Sequence, residues 1–425
     1  MKIQMIELQN RILRAVVLST PLLMGLSSCS NDLLSNSDSS LTDSDSIIVV
    51  VTVEDQGTTR APKLISSNIK EYGVRTIFNN KPYSADIQYT YNPTRNRWQK
   101  KGTLTWNNQG DLDLLCISPG FNRNIANVTI NETERSFEYL IPTQVKDQDD
   151  LCYSSQYKKN KKNTGGKVGF TLKHALASVG IMVKQSIQLG QVEVNQFTLH
   201  NVIDGGKFKF DMNRAQKASW ENNTTRTSIT QDYSNPIPLD ASGYTSLREL
   251  NTDFNEYDLF FLMPQQTTDW AVETDPTNSK WTLIEGRDKD ITSPALERVD
   301  TATANALGQS YVELKCRIFC DEPVAISEQY PTGRYIVGWN REHPELGGDQ
   351  TGDEFISIFF PFTKVNLKMG SSISYFLSFD GGYDENGFRF KITPMISTHD
   401  ETQPTTFVIE NWTDDDDGNS QEITF

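Results

Sequence analysis

Seven consecutive residues, Ile47-Ile48-Val49-Val50-Val51-Thr52-Val53, constrain this chain more than any other stretch, because every one of them is β-branched. Such side chains crowd a helix and pack well on a pleated surface, so the run is a strand. Its apolar side chains do not alternate with polar ones, which predicts burial on both faces. A breaker segment follows, Gln56-Gly57-Thr58-Thr59, then Arg60 and Ala61-Pro62. Pro62 cannot donate to a ladder and pushes Ala61 into an extended conformation. The strand is therefore tied to the rest of the chain by a thin tether carrying one arginine. Tethers of small and polar residues are where proteolysis concentrates. Two readings follow. The run is an ordinary first strand with its loop, or it is a strand meant to be removed by a cut between Arg60 and Ala61. The side chains removed would be Ile47, Ile48, Val49, Val50, Val51 and Val53.

The residues upstream favour the second reading. Lys2, Arg11 and Arg14 give residues 1–28 a basic start, and Ala15 to Leu26 is a short apolar core. That core is too short for a membrane span and reads as a secretory signal. It closes on Leu26-Ser27-Ser28-Cys29, the pattern of a bacterial lipobox. Lipidation of Cys29 is expected, and more than one acyl chain gives stable anchoring. Residues 29–46 are rich in Ser, Asp, Asn and Leu without a usable period, which predicts a flexible acidic spacer. The strand would then hang on a lipid leash from the outer membrane.

A chain of 425 residues exceeds one hydrophobic core and suggests about two domains. A net charge of −15 argues against nucleic acid as a partner. Beyond Cys29 the cysteines are Cys116, Cys152, Cys316 and Cys320. Period-2 alternation over Val312 to Cys320 puts Val312, Leu314, Cys316, Ile318 and Cys320 on one strand face. Cys316 and Cys320 are too far apart on that face for an easy disulfide and read as core thiols.

The body is a series of short strand signals closed by Pro, Gly and Asn. Examples are Leu112 to Ser118 before Pro119, Phe137 to Ile141 before Pro142, and Leu259 to Met263 before Pro264. Phe355 to Phe360, Ile373 to Phe379 and Phe388 to Ile392 continue the style, and Thr406 to Trp412 closes it. Tyr157 to Lys167 reads as a solvated basic loop. Phe170 to Lys184 reads as a strand, a kink around His174-Ala175, and a second strand. His174 reads as a structural residue, not a ligand or base. Between Asp211 and Pro236 the chain turns polar, and a domain boundary is placed there, dividing residues 61–225 from 226–425. The whole pattern predicts an all-β protein of sandwich type.

Taken in order, several of these pieces resemble the fimbrillin-like lipoproteins of Bacteroidales, the type V pilins. They are the lipobox at Cys29, Thr58-Thr59-Arg60-Ala61, and Phe170 with His174-Ala175-Leu176-Ala177-Ser178-Val179. Leu262-Met263-Pro264-Gln265 follows, then Val365-Asn366-Leu367, Tyr375-Phe376-Leu377-Ser378-Phe379 and Ile409-Glu410-Asn411-Trp412. The resemblance implies two tandem transthyretin-like β-sandwich domains. It implies export as a lipoprotein, a cut by an Arg-specific protease, and loss of the first strand. Another subunit's donated strand then fills the opened groove. One departure is the end of the chain. Thr413 to Phe425 is acidic, with Ile423 and Phe425 as its anchors, and makes a poor donor strand. That favours a tip or accessory position, or a stalk whose donor lies elsewhere. A host or bacterial surface ligand would be the adhesion target.

No enzyme signature accompanies this pattern. His174, His200, His343 and His399 are scattered, and no nucleophile elbow, P-loop or dinucleotide fingerprint occurs. Asp414 to Gly418 fails the calcium-loop pattern, since Thr413 and Thr424 stand at its first and twelfth places. No metal and no cofactor is expected. The competing reading is an uncleaved surface glycan-binding lipoprotein, which would need exposed aromatic platforms.

Overall fold

The computed structural model describes residues 45–53, 69–95, 97–121, 124–187, 190–239, 243–247, 259–268, 301–320, 334–337, 355–362, 365–384, 387–399 and 420–422. The described chain is all-β, as the sequence predicts. Its first part holds β1 (Ile48–Val53), β2 (Glu71–Phe78), β3 (Lys81–Pro82), β4 (Ile87–Asn92), β5 (Arg97–Lys100), β6 (Leu112–Ser118), β7 (Ile125–Ile130) and β8 (Arg135–Leu140). Then come β9 (Cys152–Lys159), β10 (Lys167–His174), β11 (Ala177–Ile187), β12 (Gly190–Ile203), β13 (Gly205–Phe210), β14 (Ala218–Asn222) and β15 (Arg226–Pro238). The remainder holds β16 (Thr245–Ser246), β17 (Phe260–Leu262), β18 (Gln265–Gln266), β19 (Tyr311–Cys320), β20 (Arg334–Val337) and β21 (Ile356–Pro361). It ends with β22 (Asn366–Leu367), β23 (Ser372–Asp384), β24 (Gly387–His399) and β25 (Ser420–Glu422).

Among the described residues the first sheet runs β1-β10-β9-β6-β2-β4-β5, with β3 beside β2. This sheet curls until its ends meet. Ile47 N–H donates to the Leu104 carbonyl at 2.8 Å, and Trp106 N–H donates to the Asp45 carbonyl at 2.8 Å. The curl encloses a core of Ile47, Val49, Tyr72, Val74, Tyr89, Leu104, Trp106, Leu114, Cys116, Val168, Phe170 and Leu172. Tyr72 stacks on Tyr89 at 4.6 Å between ring centroids and meets the edge of Trp98 at 4.8 Å. The opposite face of the sheet belongs to a second, larger core. There Tyr153 meets Phe208 at 4.9 Å, and Phe208 stacks on Phe137 at 5.0 Å across the β14-β13-β8-β7 sheet.

The strands do not fill the sheets in chain order. After β10 the chain turns through buried Ala175 and Leu176 and enters a different sheet, order β16-β11-β23-β24-β25, with β17 beside β11. There β11 lies parallel to β23, from Ser178–Ser372 to Ile187–Gly381. The kink expected at His174-Ala175 is this crossing. β12 lies in a third sheet, β15-β12-β19-β20, with β21 on β19. β13 and β14 then return to the side of β8.

Two local expectations change. The stretch from Asp211 to Pro236, read as polar and given no strand, contains β14 and most of β15. In β15, Ile229, Gln231, Tyr233 and Ile237 are buried while polar neighbours point out, so a strand hides behind a polar composition. The basic loop after Tyr157 is shorter than expected, since β9 continues to Lys159. One helical turn, α1 (Lys161–Thr164), follows, capped by the Asn160 side chain and ended by Gly165 at φ 61°.

Candidate functional site

The first strand is the feature the sequence singles out, and its attachments define the candidate site. β1 lies parallel to β10, in register from Ile48–Lys167 to Val53–Leu172. Among the described residues it is an edge strand with β10 as its one sheet neighbour. The expectation of burial on both faces is corrected. Ile47 and Val49 are 1% and 4% exposed, and Val51 packs on the same core, whereas Ile48 is 49% exposed and Thr52 is exposed. The reason is position: the outer face at this sheet edge is at most partly covered, with Val50 half-buried between exposed Ile48 and Thr52, so only the inward set of the period-2 alternation is buried. Uniform β-branching hid an alternation that the pleat imposes.

β1 therefore behaves as an insert in a groove. Ile47 and Val49 fill the space beside Val168, Phe170, Leu172 and Leu104, and full burial of each contributes about 1.5–3 kcal/mol. Besides the β10 ladder, backbone hydrogen bonds at 2.8 Å tie Ile47 to Leu104 and Asp45 to Trp106, and the other polar ties lie toward the surface. Ile48 N–H donates to the Gly166 carbonyl at 3.0 Å. Thr52 Oγ1 donates to the Phe170 carbonyl at 3.3 Å. The exposed Lys161 Nζ meets Asp45 Oδ1 at 3.2 Å, and a pair of that kind contributes about 0–1 kcal/mol. Without β1, the edge of β10 and its apolar side chains would be bare, which is a template for another strand. Of the residues picked from sequence, Ile47 to Val53 are described. Cys29, Arg60 and Ala61 lie outside the described residues, as do His343 and the stretch from Thr406 to Trp412.

Two histidine clusters were not legible in the sequence. His174 Nδ1 is 2.8 Å from Asp150 Oδ2 and 3.8 Å from Cys152 Sγ, and Cys152 Sγ is 3.6 Å from Asp150 Oδ1. Asp150 and Cys152 are buried, and burial followed by the nearby carboxylate pushes the Cys152 thiol well up from its ordinary value. Thiol and carboxylate both face one ring nitrogen. A nucleophilic relay needs them on opposite nitrogens, so this is not a cysteine-protease arrangement. In the second cluster His200 Nε2 meets Glu313 Oε2 at 2.8 Å, and His200 Nδ1 meets Ser228 Oγ at 2.8 Å. Ser357 Oγ donates to Glu313 Oε1, and the His200 ring stacks on Tyr311. The hydrogen bond from His200 holds the Glu313 carboxyl below its ordinary value. Burial pushes the Cys316 thiol up to about 12, in keeping with a core thiol. Asp150 precedes Cys152 by two places, which sequence can show. The 22-residue step to His174 needs the β9–β10 register.

The aromatic residues are mostly covered. Trp106 is buried, Trp98 packs on the curled core, and Trp220 Nε1 donates to the Ala175 carbonyl at 2.7 Å. Tyr83 is the one exposed large aromatic among the described residues. A stacked-sugar platform of exposed tryptophans is not present among them. No helix among the described residues is long and apolar enough to cross a membrane.

The described chain is all-β, with an apolar strand seated at a sheet edge. The family model described as fimbrillin-like matches residues 35–294, and this chain belongs to that family. At that level it is a fimbrial protein of the cell surface, and the family is not an enzyme family. No curated protein sequence matches it significantly. Among solved structures it is similar to a fimbrial protein from Bacteroides vulgatus, at 12% identity and a TM-score of 0.45, covering 83% of this chain and 99% of that one. It is also similar to a fimbrial assembly protein from Parabacteroides distasonis, at 9% identity and a TM-score of 0.34, covering 82% and 94%.

Proposed function

We propose that this chain is a structural or adhesive pilus subunit assembled by strand exchange. It is exported as a lipoprotein, held in the outer membrane through Cys29, and cut after Arg60 by an Arg-specific protease. The cut releases β1, and a strand donated by another subunit takes its place against β10. In this reading the chain folds as two tandem transthyretin-like sandwiches, residues 61–225 and 226–425. The observation behind the proposal is the seating of β1: a short edge strand, one neighbour, apolar side chains inward, and the tether with Arg60 directly downstream. The departure of β1 would break the β10 ladder and the short closing bridge at Leu104–Trp106, and no other strand pair among the described residues.

The position in the fibre is a tip or accessory one. The acidic tail offers few anchors, and within it Ser420–Glu422 pairs with Met395–Ser397 of its own sheet. A segment seated on its own sheet is not free for donation. The adhesion target is a ligand on a host or bacterial surface.

Limited digestion of the chain beginning at Cys29 with an Arg-specific protease tests this, read by N-terminal sequencing and size-exclusion chromatography. A single early cut leaving Ala61 as the new N-terminus, with β1 released and oligomers forming, is the expected result for a self-donating subunit. Release of β1 without oligomers is the expected result for a tip or accessory subunit. Resistance at Arg60 in a folded chain overturns the mechanism.

A further inference from the structure

β10 carries β1 on one edge, yet its own hold on the sheet is narrow. Among the described residues its register with β9 consists of Lys173–Tyr153 and His174–Cys152. Gln156 Nε2 adds a hydrogen bond to the Gly169 carbonyl at 2.8 Å. The Asp150, Cys152 and His174 side chains converge at this join.

The two separations from the Cys152 sulfur are close to ligand spacing, and the His174–Asp150 hydrogen bond would open by about 0.5 Å to admit an ion between its partners. In a tetrahedral zinc site, metal–sulfur bonds of about 2.3 Å, metal–nitrogen bonds of about 2.0–2.1 Å and metal–oxygen bonds of about 2.0–2.2 Å place neighbouring donor atoms about 3.3–3.6 Å apart. Here the sulfur–nitrogen, sulfur–oxygen and nitrogen–oxygen separations are 3.8, 3.6 and 2.8 Å. The donors are also held before any ligand arrives. The Gln148 side chain donates to the Pro142 carbonyl at 3.0 Å and to the Phe261 carbonyl at 3.2 Å, and accepts from Phe261 N–H at 2.8 Å. That fixes the segment leading to Asp150. Ala175 N–H donates to the Leu151 carbonyl at 2.7 Å, which fixes His174 against it. Asp150 and Cys152 are buried, and the His174 side chain is 17% exposed, which leaves an approach from solvent.

We propose that Asp150, Cys152 and His174 form a divalent transition-metal site of the zinc class, with a fourth position for water, which clamps β10 to β9. The donor set selects the metal. A thiolate and an imidazole suit zinc and exclude magnesium and calcium, which take oxygen donors. Binding would release the Cys152 thiol proton to solvent and shift the His174 ring proton from Nδ1, where it faces the Asp150 carboxylate, to Nε2, so that Nδ1 can bind the metal. The clamp lies just past Val53–Leu172, where the β1–β10 register ends. A bound ion would hold β10 in place while its β1 edge is empty. The inference does not depend on cleavage at Arg60, and it can stand or fall without it.

Cobalt(II) titration of the full chain in detergent, after chelation and dialysis, tests it, since a thiolate ligand gives a near-ultraviolet charge-transfer band. One equivalent should bind, with that band and the strong visible bands of a tetrahedral ion, and zinc should displace it. Cys152→Ser should abolish the thiolate band and weaken binding by at least the roughly 10–100-fold typical of losing an outer partner. His174→Gln should weaken binding similarly. Should either variant fold poorly, hydrogen exchange on the wild type decides. Zinc should slow the amides of 167–174 and leave those of 177–187 unchanged. Failure to retain one equivalent, a thiolate band that persists in Cys152→Ser, or equal protection of both segments overturns the site.

Discussion

Among the described residues two strand pairs are parallel, β1 with β10 and β11 with β23, and β1 and β11 are attached in opposite ways. β1 meets β10 over Ile48–Val53 at a sheet edge. β11 meets β23 over Ser178–Ile187, with β16 and β17 on its other side. Both are rich in β-branched residues and both bury alternate positions: Ile47 and Val49 in one, Val179, Ile181 and Val183 in the other. The difference is what removal would break. Taking out β11 would sever the sheet between β17 and β23 and open the larger core. Taking out β1 would break one ladder and the short bridge to Leu104–Trp106, and uncover one side of the curled core. Composition marks a strand as apolar; its number of neighbours decides whether it can be spared.

The largest effect should come from the shared interior. Phe208→Ala removes a ring that touches Phe137, Tyr153, Phe210 and Trp220, and should cost about 3–5 kcal/mol of global stability, read from the denaturant midpoint. If the comparison between the strands is right, β1 and the body should be lost together in that variant.

Val49→Asp separates them. A carboxylate in place of a 4%-exposed side chain should drive β1 out of its groove, because burial of an unpaired charge costs more than the strand's few contacts supply. The body should keep its fold. Hydrogen exchange should rise at 48–53 and 167–172 and stay slow in β11, and the denaturant midpoint should fall by less than in Phe208→Ala. Equal loss in β11 would show that β1 is structural cement.

The smallest effect concerns acid. The Glu313 carboxyl is depressed in the folded chain by its bond from His200, so its contribution is present above the ordinary value near 4.5. It is lost as pH falls from there through the lower folded value. This cluster joins β12, β15, β19 and β21. Acid titration followed by hydrogen exchange should therefore loosen that sheet, and Glu313→Gln should remove the dependence.

Sequence reasoning reached the strands and not their neighbours. Leu112 to Ser118, Val312 to Cys320 and Ile373 to Phe379 lie in strands as their patterns require. The crossing was visible as a kink around His174-Ala175, where a polar and a small residue separate two apolar runs. β15 was missed because its inward positions include Gln231 and Tyr233, so burial did not follow hydrophobicity. The outer face of β1 was misjudged because seven β-branched residues carry no polar mark on the side that faces out. Asp150, Cys152 and His174 come together only through the pairing of β9 with β10, which a linear reading does not supply.

The central claim is that β1 must leave for assembly, and a reversible staple tests it most directly. Ile48 and Lys167 are register partners and both are exposed, so Ile48→Cys with Lys167→Cys can bridge the two strands without entering the core. The stapled chain is then cut at Arg60, mixed with donor subunits, and followed by size-exclusion chromatography with and without reductant. The account predicts that the oxidised chain is cut yet takes up no donor strand, and that reduction releases β1 and restores uptake. Equal uptake by oxidised and reduced chains would contradict it, because the groove would then play no part in assembly.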